Sequence, residues 1–478
     1  MKHIPILSAI LITALLVAAG TAYAQQPPDV VQSDSNWNTA MGTAALQSVT
    51  PNSCLYCGIE NTAAGAYAMQ SNTSGGGNVA MGFLAMQFNI TGHNNTGVGD
   101  SALQGNTTGY YNTAVGSGAL LRSTTAYNNT GLGLDALVYN TTGGNNTATG
   151  ANALFSNTTA GENTATGYNA LYSNTTGDEN TASGSRSLYS NTTGYQNTAS
   201  GYQALYFNTV GNHNTVFGFQ ALYSNTNGNS NTADGDFALY YNTTGYHNTA
   251  SGSNALFSNT TGIGNVALGL EALYSNTTGS NNIALGTNAG YSLTFGSNNI
   301  DIGNQGAARE SGTVRIGSQG TQVATYIAGI ENAKVTGSAV YVTASGQLGV
   351  LASSERYKTA IAPMGGNSEK LSQLRPVSFH LKTDPNGAVQ YGLIAEEVAK
   401  VYPELVIRDG SGKIQGVRYD ELAPMLLNEV QKQQRINAAQ ADQNNVQAAK
   451  IAALEQQLAG IQSALLNLQP QHQLVAQR

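Results

Sequence analysis

The sequence predicts a mostly β fold, in which a parallel β-roll or β-solenoid of 17-residue repeats precedes a small α/β domain and a C-terminal trimeric coiled coil. Three observations support this prediction. A unit that begins with Asn-Thr recurs at a fixed spacing through most of the chain, the composition changes abruptly near residue 353, and the last part follows a heptad pattern. Repeats that tolerate no insertion are typical of solenoids whose coils stack in register.

The N-terminus has the pattern of a secretory signal peptide. A basic start is followed by an apolar run over residues 4–20, which ends in Ala-Tyr-Ala at residues 22–24. The run is short for a membrane span and ends in a cleavage pattern. We therefore expect export, removal of residues 1–24, and a mature chain without a membrane span that is secreted or held at the cell surface. Residues 25–37 are then an N-terminal linker.

Residues 38–303 are predicted to form the β-solenoid rod. Fourteen consecutive steps of seventeen residues lead from Asn61 to Asn299. Seventeen residues are too few for a helical hairpin, and every unit contains several helix-breaking residues. Short strands joined by Gly and Asn turns fit better, with Ala and Leu filling a thin interior that has no room for a ligand. In-register coils about 4.8 Å apart would stack identical side chains in ladders.

Two such ladders are visible in the sequence. The tenth position of the unit is aromatic in Phe155, Tyr172, Tyr189, Tyr206, Tyr223, Tyr240, Phe257 and Tyr274. The twelfth position is Asn in Asn157, Asn174, Asn191, Asn208, Asn225, Asn242, Asn259 and Asn276. Because so thin an interior buries little apolar surface, we expect the rods to self-associate, with the aromatic ladder as the seam.

Rows of Thr at the second position of the unit leave another interpretation open. They run through Thr164, Thr181 and Thr198. Flat Thr arrays on β-solenoids can order water and bind ice, which makes an ice-binding solenoid a remote alternative. Thr rows also arise simply because Thr favours strands on a solvated face. The Asn-x-Thr sequons come with the repeat and need no glycan to explain them.

Composition and charge exclude several function classes. Residues 38–303 contain ten acidic and two basic residues, a net charge of −8, so they offer no basic patch for nucleic acid. The sequence shows no Ser-His-Asp set, phosphate-binding loop or metal-ligand cluster, and we expect no cofactor and no metal. Cys54 and Cys57 lie in a loop inserted before the first regular unit. We predict a small disulfide between them rather than a redox motif or a zinc site.

Beyond Gly303 the register of the repeat is lost. Residues 304–352 combine short apolar runs with Gly turns, which predicts a β-rich neck. Of the 19 Lys and Arg residues, 13 lie from Ser353 onward. Residues 353–425 have the mixed apolar pattern of a small α/β domain.

A heptad pattern covers residues 426–469, and residues 470–478 form a tail. The a positions are Val430, Asn437, Asn444, Ile451, Leu458 and Leu465. The d positions are Leu426, Gln433, Gln440, Gln447, Leu454, Ile461 and Leu468. Asn and Gln at central core positions cost stability but specify register and strand number. We expect a parallel homotrimeric coiled coil.

Residues 353–430 resemble the intramolecular chaperone domain of phage endosialidase tail spikes and tail fibres. Three motifs in the family's order carry the resemblance: SSERYKTAI from residue 353, YGLIAEEVAKVYPELV from residue 391, and VRYDELAPMLLNEV from residue 417. The resemblance implies a domain that trimerises the preceding β fibre and then cuts itself free with a Ser-Lys dyad. The rod units are similar to the head repeats of trimeric autotransporter adhesins, whose unit is usually shorter.

The resemblance to the chaperone family also implies the site residues. The family pattern Ser-Asp-x-Arg-x-Lys begins at Ser353, which would be the nucleophile, with Lys358 as its general base and Ala352–Ser353 as the bond that is cut. Lysine acts as a base only when it is neutral, which requires burial or nearby positive charge, and Arg356 is expected to supply part of that charge. Ser354 stands where Asp is usual, and its spacing of four from Lys358 would place both on one helix face.

Together these features predict an exported trimeric fibre, tail-fibre-like or adhesin-like, that acts as a single-turnover serine endopeptidase on itself and on no external substrate. The alternative is a structural or adhesive surface fibre that keeps an inactive chaperone as a trimer clamp. A ligand on a host surface, such as a glycan, stays unidentified because a repeat this uniform presents no single site.

Overall fold

The computed structural model describes residues 32–49, 57–328, 339–343, 345–409 and 411–473. The predicted signal peptide and Cys54 lie outside these residues. The chain divides into two compact units, one ending at Thr325 and the other beginning at Tyr326.

The first unit is a β-solenoid with one short strand per coil. Its strands are β1 (Gln32–Ser33), β2 (Thr39–Met41), β3 (Thr62–Ala64), β4 (Val79–Met81), β5 (Thr96–Val98), β6 (Thr113–Val115), β7 (Thr130–Leu132), β8 (Thr147–Thr149), β9 (Thr164–Thr166), β10 (Thr181–Ser183), β11 (Thr198–Ser200), β12 (Thr215–Phe217), β13 (Thr232–Asp234), β14 (Thr249–Ser251), β15 (Val266–Leu268), β16 (Ile283–Leu285), β17 (Ile300–Ile302) and β18 (Val314–Ile316). From β2 onward each strand pairs in parallel with the next, so that Thr181 lies beside Thr198, whereas β1 pairs antiparallel with β2. The predicted parallel β-solenoid is confirmed.

Small apolar residues fill the interior of the coil, as predicted. The third, eighth and ninth positions of a typical unit are Ala165, Ala170 and Leu171, and all three side chains are fully buried. The strand contributes only its central residue to this core, because its first and third residues point outward. The core is therefore one side chain deep at the strand.

Two ladders of buried Asn complete the interior, and only the ladder at the twelfth position was predicted. At the first position, Asn197 donates from its backbone N to Asn180 Oδ1 at 3.0 Å and from Nδ2 to the Gly211 carbonyl at 2.8 Å. At the twelfth position, Asn208 donates from Nδ2 to Asn191 Oδ1 at 2.8 Å and to the same Gly211 carbonyl at 2.9 Å. Both ladders thus hold the turn carbonyl and the neighbouring coil together. Full burial of the twelfth-position Asn, which begins most of the sequons, leaves no room for a glycan on that residue in the folded coil.

The backbone of a typical coil has positive φ at four positions, those of Gly167, Asn169, Leu171 and Glu179. Gly167, at the fifth position, has φ 133°, and a Cβ there would lie 2.6 Å from the carbonyl oxygen of Gly184 in the next coil. Only Gly fits so close an approach at that φ. Leu171, at the ninth position, has φ 51°, a left-handed conformation that is rare for Leu, and the same strain recurs at this position in most coils.

The aromatic ladder is present as a continuous stack. Successive rings from Phe155 to Tyr274 are 4.9–5.5 Å apart and within 18° of parallel, and the stack continues to Tyr291. The side chains are half-buried against one another. The Thr rows also stack in register, but Val79 and Val266 interrupt them.

The interior pattern changes at the end of the rod. Leu293 replaces the twelfth-position Asn, Gly290 replaces the ninth-position Leu, and Asp301 replaces the third-position Ala. Asp301 is fully buried, and neither of its carboxylate oxygens has a hydrogen-bond partner. On the adjacent strand, Arg315 is paired with Glu310 through three N–O contacts of 2.7–3.0 Å.

The second unit contains short strands, three 3₁₀ helices and two α-helices. They are β19 (Tyr341–Val342), β20 (Leu348–Gly349), η1 (Glu355–Tyr357), η2 (Gly365–Gln373), β21 (Val377–Phe379), β22 (Gln390–Gly392), α1 (Ala395–Val401), η3 (Pro403–Leu405), β23 (Val406–Arg408), β24 (Ile414–Val417) and α2 (Tyr419–Gln473). Three antiparallel pairs join β19 with β20, β21 with β22, and β23 with β24. The core of this unit is Val398, Tyr402, Leu405, Val406, Val417 and Met425.

Helix α2 contains the predicted heptad. Its apolar a and d residues are more than half exposed: Leu426, Val430, Ile451, Leu454, Leu458, Ile461 and Leu465. From Gln433 to Asn467 every side chain of the helix is exposed. No helix in the described ranges combines the length and apolar character needed to cross a membrane.

Candidate functional site

The predicted cleavage bond lies in an exposed, irregular segment. Strand β20 ends at Gly349, and the backbone from Val350 to Ser353 belongs to no strand or helix. Every side chain from Leu351 to Pro363 is exposed. The Ala352–Ser353 peptide is therefore open to attack on the surface of the unit.

A single 3₁₀ turn separates the two predicted catalytic residues. In η1 the Lys358 backbone N donates to the Glu355 carbonyl at 2.9 Å, and the Tyr357 N donates to the Ser354 carbonyl at 3.0 Å. Beyond this turn Lys358 returns to extended backbone, with φ −117° and ψ 145°. Any pairing of Ser353 with Lys358, which their spacing of five residues allows only through a reversal of the chain, must therefore be made across this turn.

The dyad itself is not assembled within one chain. Among the described residues, no hydrogen bond joins the Ser353 hydroxyl to the Lys358 amine, and both side chains are exposed. The guanidinium of Arg356 lies 4.6 Å from the centre of the Tyr357 ring, a cation–π contact within η1. The single chain therefore provides an accessible nucleophile and an accessible amine, but no desolvated pair.

Ser354 does not act as a structural cap of the turn. It occupies the N-cap position of η1 with φ −65° and ψ 143°, but its side chain makes no capping hydrogen bond. Its hydroxyl is exposed beside that of Ser353. The structure leaves both hydroxyls available to Lys358.

A buried polar anchor joins the segment after Lys358 to helix α2, and it was not predicted from the sequence. The Ser368 hydroxyl, which is fully buried, donates to Glu429 Oε1 at 2.7 Å and accepts from Asn428 Nδ2. Asn428 Nδ2 also donates to the Gly365 carbonyl at 3.0 Å. More than sixty residues lie between Gly365 and Glu429 along the chain, and nothing in the local pattern of either segment predicts the contact.

Two ion pairs strengthen the same packing. Lys432 Nζ lies 3.0 Å from Glu369 Oε1, which ties η2 to α2. Arg375 contacts both oxygens of Glu397 on α1 and lowers the pKa of that carboxyl. All four side chains are exposed, so screening by solvent leaves each pair little effect on stability.

The remaining predicted site residues are the two cysteines. Cys57 lies in the described part of the chain, where no cysteine is free. Cys54 lies outside it, so the disulfide stays a prediction. Within the described ranges, no group of three or more His, Cys, Asp and Glu side chains is arranged to hold a metal ion.

Comparison with known proteins identifies this part of the chain. Residues 353–407 match the model of a protein family described as the chaperone of endosialidase. No curated protein and no solved structure matches the chain. The match begins at Ser353, the residue that follows the predicted cleavage bond, and ends in β23. The C-terminal unit is thus similar to the chaperone of endosialidase over residues 353–407, and a β-solenoid precedes it.

Proposed function

We propose that the protein is an exported trimeric fibre whose C-terminal chaperone assembles three copies and then releases itself by cutting the Ala352–Ser353 bond. One observation carries the proposal. The family match starts at Ser353, and the bond before it lies in an exposed segment outside regular structure. A chaperone that is to be released needs its first residue at such a boundary.

The exposed heptad of α2 supports the trimer. The helix has 55 residues and leaves apolar a and d residues in water on both sides of its Asn and Gln centre, at Val430 and again from Ile451 to Leu465. It is stabilised when copies bury these residues against one another. The first turns of the same helix pack against η2 and contribute Met425 to the core of the chaperone. Association of the helices would therefore bring three chaperone units, and the fibres attached to them, together.

Cleavage then depends on assembly. Lys358 can take the proton of Ser353 only as a neutral amine, and an exposed lysine is charged. Burial of the Lys358 side chain against a neighbouring copy would remove water from it, and Arg356 would add positive charge nearby. The Ser353 Oγ would attack the Ala352 carbonyl carbon, and the C–N bond between Ala352 and Ser353 would break as Lys358 passes the proton to the Ser353 nitrogen. Water would then hydrolyse the Ala352 ester on Ser353 Oγ, which leaves a carboxylate on Ala352 and restores the Ser353 hydroxyl.

Mass measurement of the purified full-length protein tests this function. The chain should trimerise and then split into a fibre that ends at Ala352 and a fragment that begins with Ser353, at a rate independent of protein concentration once trimers exist. Ser353→Ala and Lys358→Ala should each block the reaction while leaving the trimer intact. Ser354→Ala is the matched control and should still be cut.

Two results would revise the proposal. Cleavage that survives Ser353→Ala but is lost with Ser354→Ala would move the nucleophile one residue along the chain. A trimer whose chains stay uncut would indicate that Ser354, in place of the usual Asp, has made the dyad inactive. The chaperone would then remain as a permanent clamp on a structural or adhesive fibre.

A further inference from the structure

The outer face of the solenoid sheet changes character along the rod. In the middle coils the outward residues of the strands are polar, as in Thr181 and Ser183 of β10 and Thr249 and Ser251 of β14. In the last four strands both outward positions are apolar: Val266 and Leu268, Ile283 and Leu285, Ile300 and Ile302, Val314 and Ile316. We call these eight side chains the terminal apolar face.

The terminal apolar face is open to water in the single chain. Exposure reaches 46% at Leu285, 61% at Val314 and 71% at Ile316. Leu270, just beyond β15, is 49% exposed and extends the face at one side. Parallel in-register pairing places the side chains in two unbroken columns, and successive side chains within a column lie about 4.8 Å apart. A contiguous patch of branched aliphatic residues on a flat sheet is typical of a contact surface rather than of a solvated one.

We infer that the terminal apolar face binds the same face of two further copies of this chain, in register and parallel, so that three sheets meet around one axis at the end of the rod. This inference rests on the trimer of the proposed function and adds the surface that the rods use. It moves the contact from the aromatic ladder, whose rings already cover one another, to the strand face.

Charge restricts the surfaces at which copies of this chain can meet. The solenoid has a net charge of −8, so identical rods repel one another at most surfaces. No outward position of β15–β18 is charged, whereas β13 presents Asp234 on the same face. Three copies in register along β13 would bring three Asp234 carboxylates together, and these would repel one another. We therefore predict that close contact does not reach β13 and is confined to the terminal coils.

The position of the face in the chain gives a second argument. The polar and apolar coils share one architecture, and the run of four consecutive strands with both outward residues apolar lies at the end that leads into the chaperone. One other strand of this kind, β4 with Val79 and Met81, stands alone near the opposite end of the rod. Only 36 residues separate Ile316 from Ser353, where the family match begins. A tether of that length to a trimeric chaperone would hold three terminal faces at an effective concentration on the order of millimolar. Coils farther from the chaperone gain less from this tether.

Cysteine cross-linking of the full-length protein tests the inference. With Cys54 and Cys57 replaced by Ser, Leu285→Cys should form intermolecular disulfides under mild oxidation. Up to about two thirds of the chains should run as covalent dimers, because three thiols around one axis can make only one pair at a Cβ separation of about 4 Å. The matched control is Thr278→Cys, an exposed site in a turn outside the sheet, and it should remain uncross-linked. Ile302→Cys is a second probe of the face if the first variant fails to fold.

Sedimentation of the same samples distinguishes failure of this inference from failure of the proposed function. A trimer whose Leu285→Cys and Ile302→Cys variants cross-link no more than Thr278→Cys would overturn the inference and leave the proposed function standing. In that case the face is covered by another part of the same chain or left in water. A monomeric full-length protein would overturn the proposed function and this inference with it.

Discussion

The buried carboxyl of Asp301 should make the end of the rod less stable as the pH rises. Asp301 stands in the column that Ala occupies in most other coils, and its Oδ2 atom lies close to Gly290 and Gly306. Neither oxygen accepts a hydrogen bond. Burial and, to a smaller extent, the neighbouring Glu310 raise the pKa of Asp301 to about 6, although Arg315 opposes the shift.

The size of the effect follows from this pKa. A carboxyl that titrates at about 6 in the fold and at 3.8 in the unfolded chain costs the folded state about 3 kcal/mol once it is fully ionised. Because the folded pKa is raised, the cost is absent below pH 3.8 and is complete only above pH 6. Between pH 5 and pH 7.5 the end of the rod should lose about 1.4 kcal/mol, or roughly tenfold in local protection. Glu310 titrates below its usual range, since Arg315 lowers its pKa, and stays ionised in this window.

Hydrogen exchange resolves this effect from the stability of the rest of the rod. The amides of Ile300 and Gly303, which donate to carbonyls of neighbouring coils, report on the terminal coils, and the amide of Thr198 is the internal control. After correction for intrinsic exchange, protection of the two terminal amides should fall about tenfold from pH 5 to pH 7.5, and protection of Thr198 should not change. Asp301→Asn should abolish the difference, and Asp301→Ala should also raise protection at pH 7.5 by removing the buried polar group. If Asp301→Asn kept the wild-type pH dependence, or lowered protection at pH 7.5, the reasoning would be refuted.

Three further predictions concern the coil itself. Gly167→Ala should cost about 3 kcal/mol and lower the melting temperature, because the new Cβ meets a carbonyl oxygen at a φ reserved for Gly; an unchanged melting temperature would contradict the observed stacking distance. Asn208→Ala should cost about 2–4 kcal/mol in denaturant unfolding, because it leaves buried ladder partners unpaired; a loss below 0.5 kcal/mol would mean that water replaces the ladder. Replacing Tyr189, Tyr206 and Tyr223 together with Ser should cost roughly 3–6 kcal/mol through lost stacking and burial; a calorimetric melt that overlays the parent's would show that the ladder is only surface decoration.

The sequence predicts the period, the strand position and the in-register stacking of the rod. Because the spacing is fixed at seventeen residues, in-register coils place identical side chains above one another. The Ala, Leu and aromatic columns follow directly. The burial of the first-position Asn was not predicted. Asn197, for example, donates from Nδ2 to the carbonyl of Gly211, fourteen residues later in the same coil. Composition alone does not reveal such a partner. The left-handed conformation of Leu171 could not be predicted either, because Leu does not favour a φ of 51°.

The candidate site is predicted less completely. The motif that begins at Ser353 was enough to indicate the family, and the family match confirms that segment. The contact of Ser368 with Asn428 and Glu429 could not be predicted, because it joins two segments with no shared periodicity. The spatial relation of Ser353 to Lys358 also lies beyond the sequence, since one turn separates them and their desolvation depends on what packs against η1.

The uniformity of the rod gives a physical reason for a chaperone at its end. If two rods slip past each other by one coil, nearly every contact is replaced by an equivalent one, because adjacent coils carry the same ladders and the same strand face. If the rods met along their whole length, a slip would therefore cost the contacts of about one coil, a small fraction of the total, and many wrong registers would compete with the correct one. Features that occur once remove this degeneracy: the terminal apolar face of β15–β18, the Asp234 carboxylate that limits it, and the non-repeating chaperone with its heptad helix. In this reading the stability of the rod resides in its repeats, whereas its register is set by the parts of the chain that do not repeat. A chaperone that fixes register is needed only until the rods have formed, and this makes its release by cleavage at Ser353 physically reasonable.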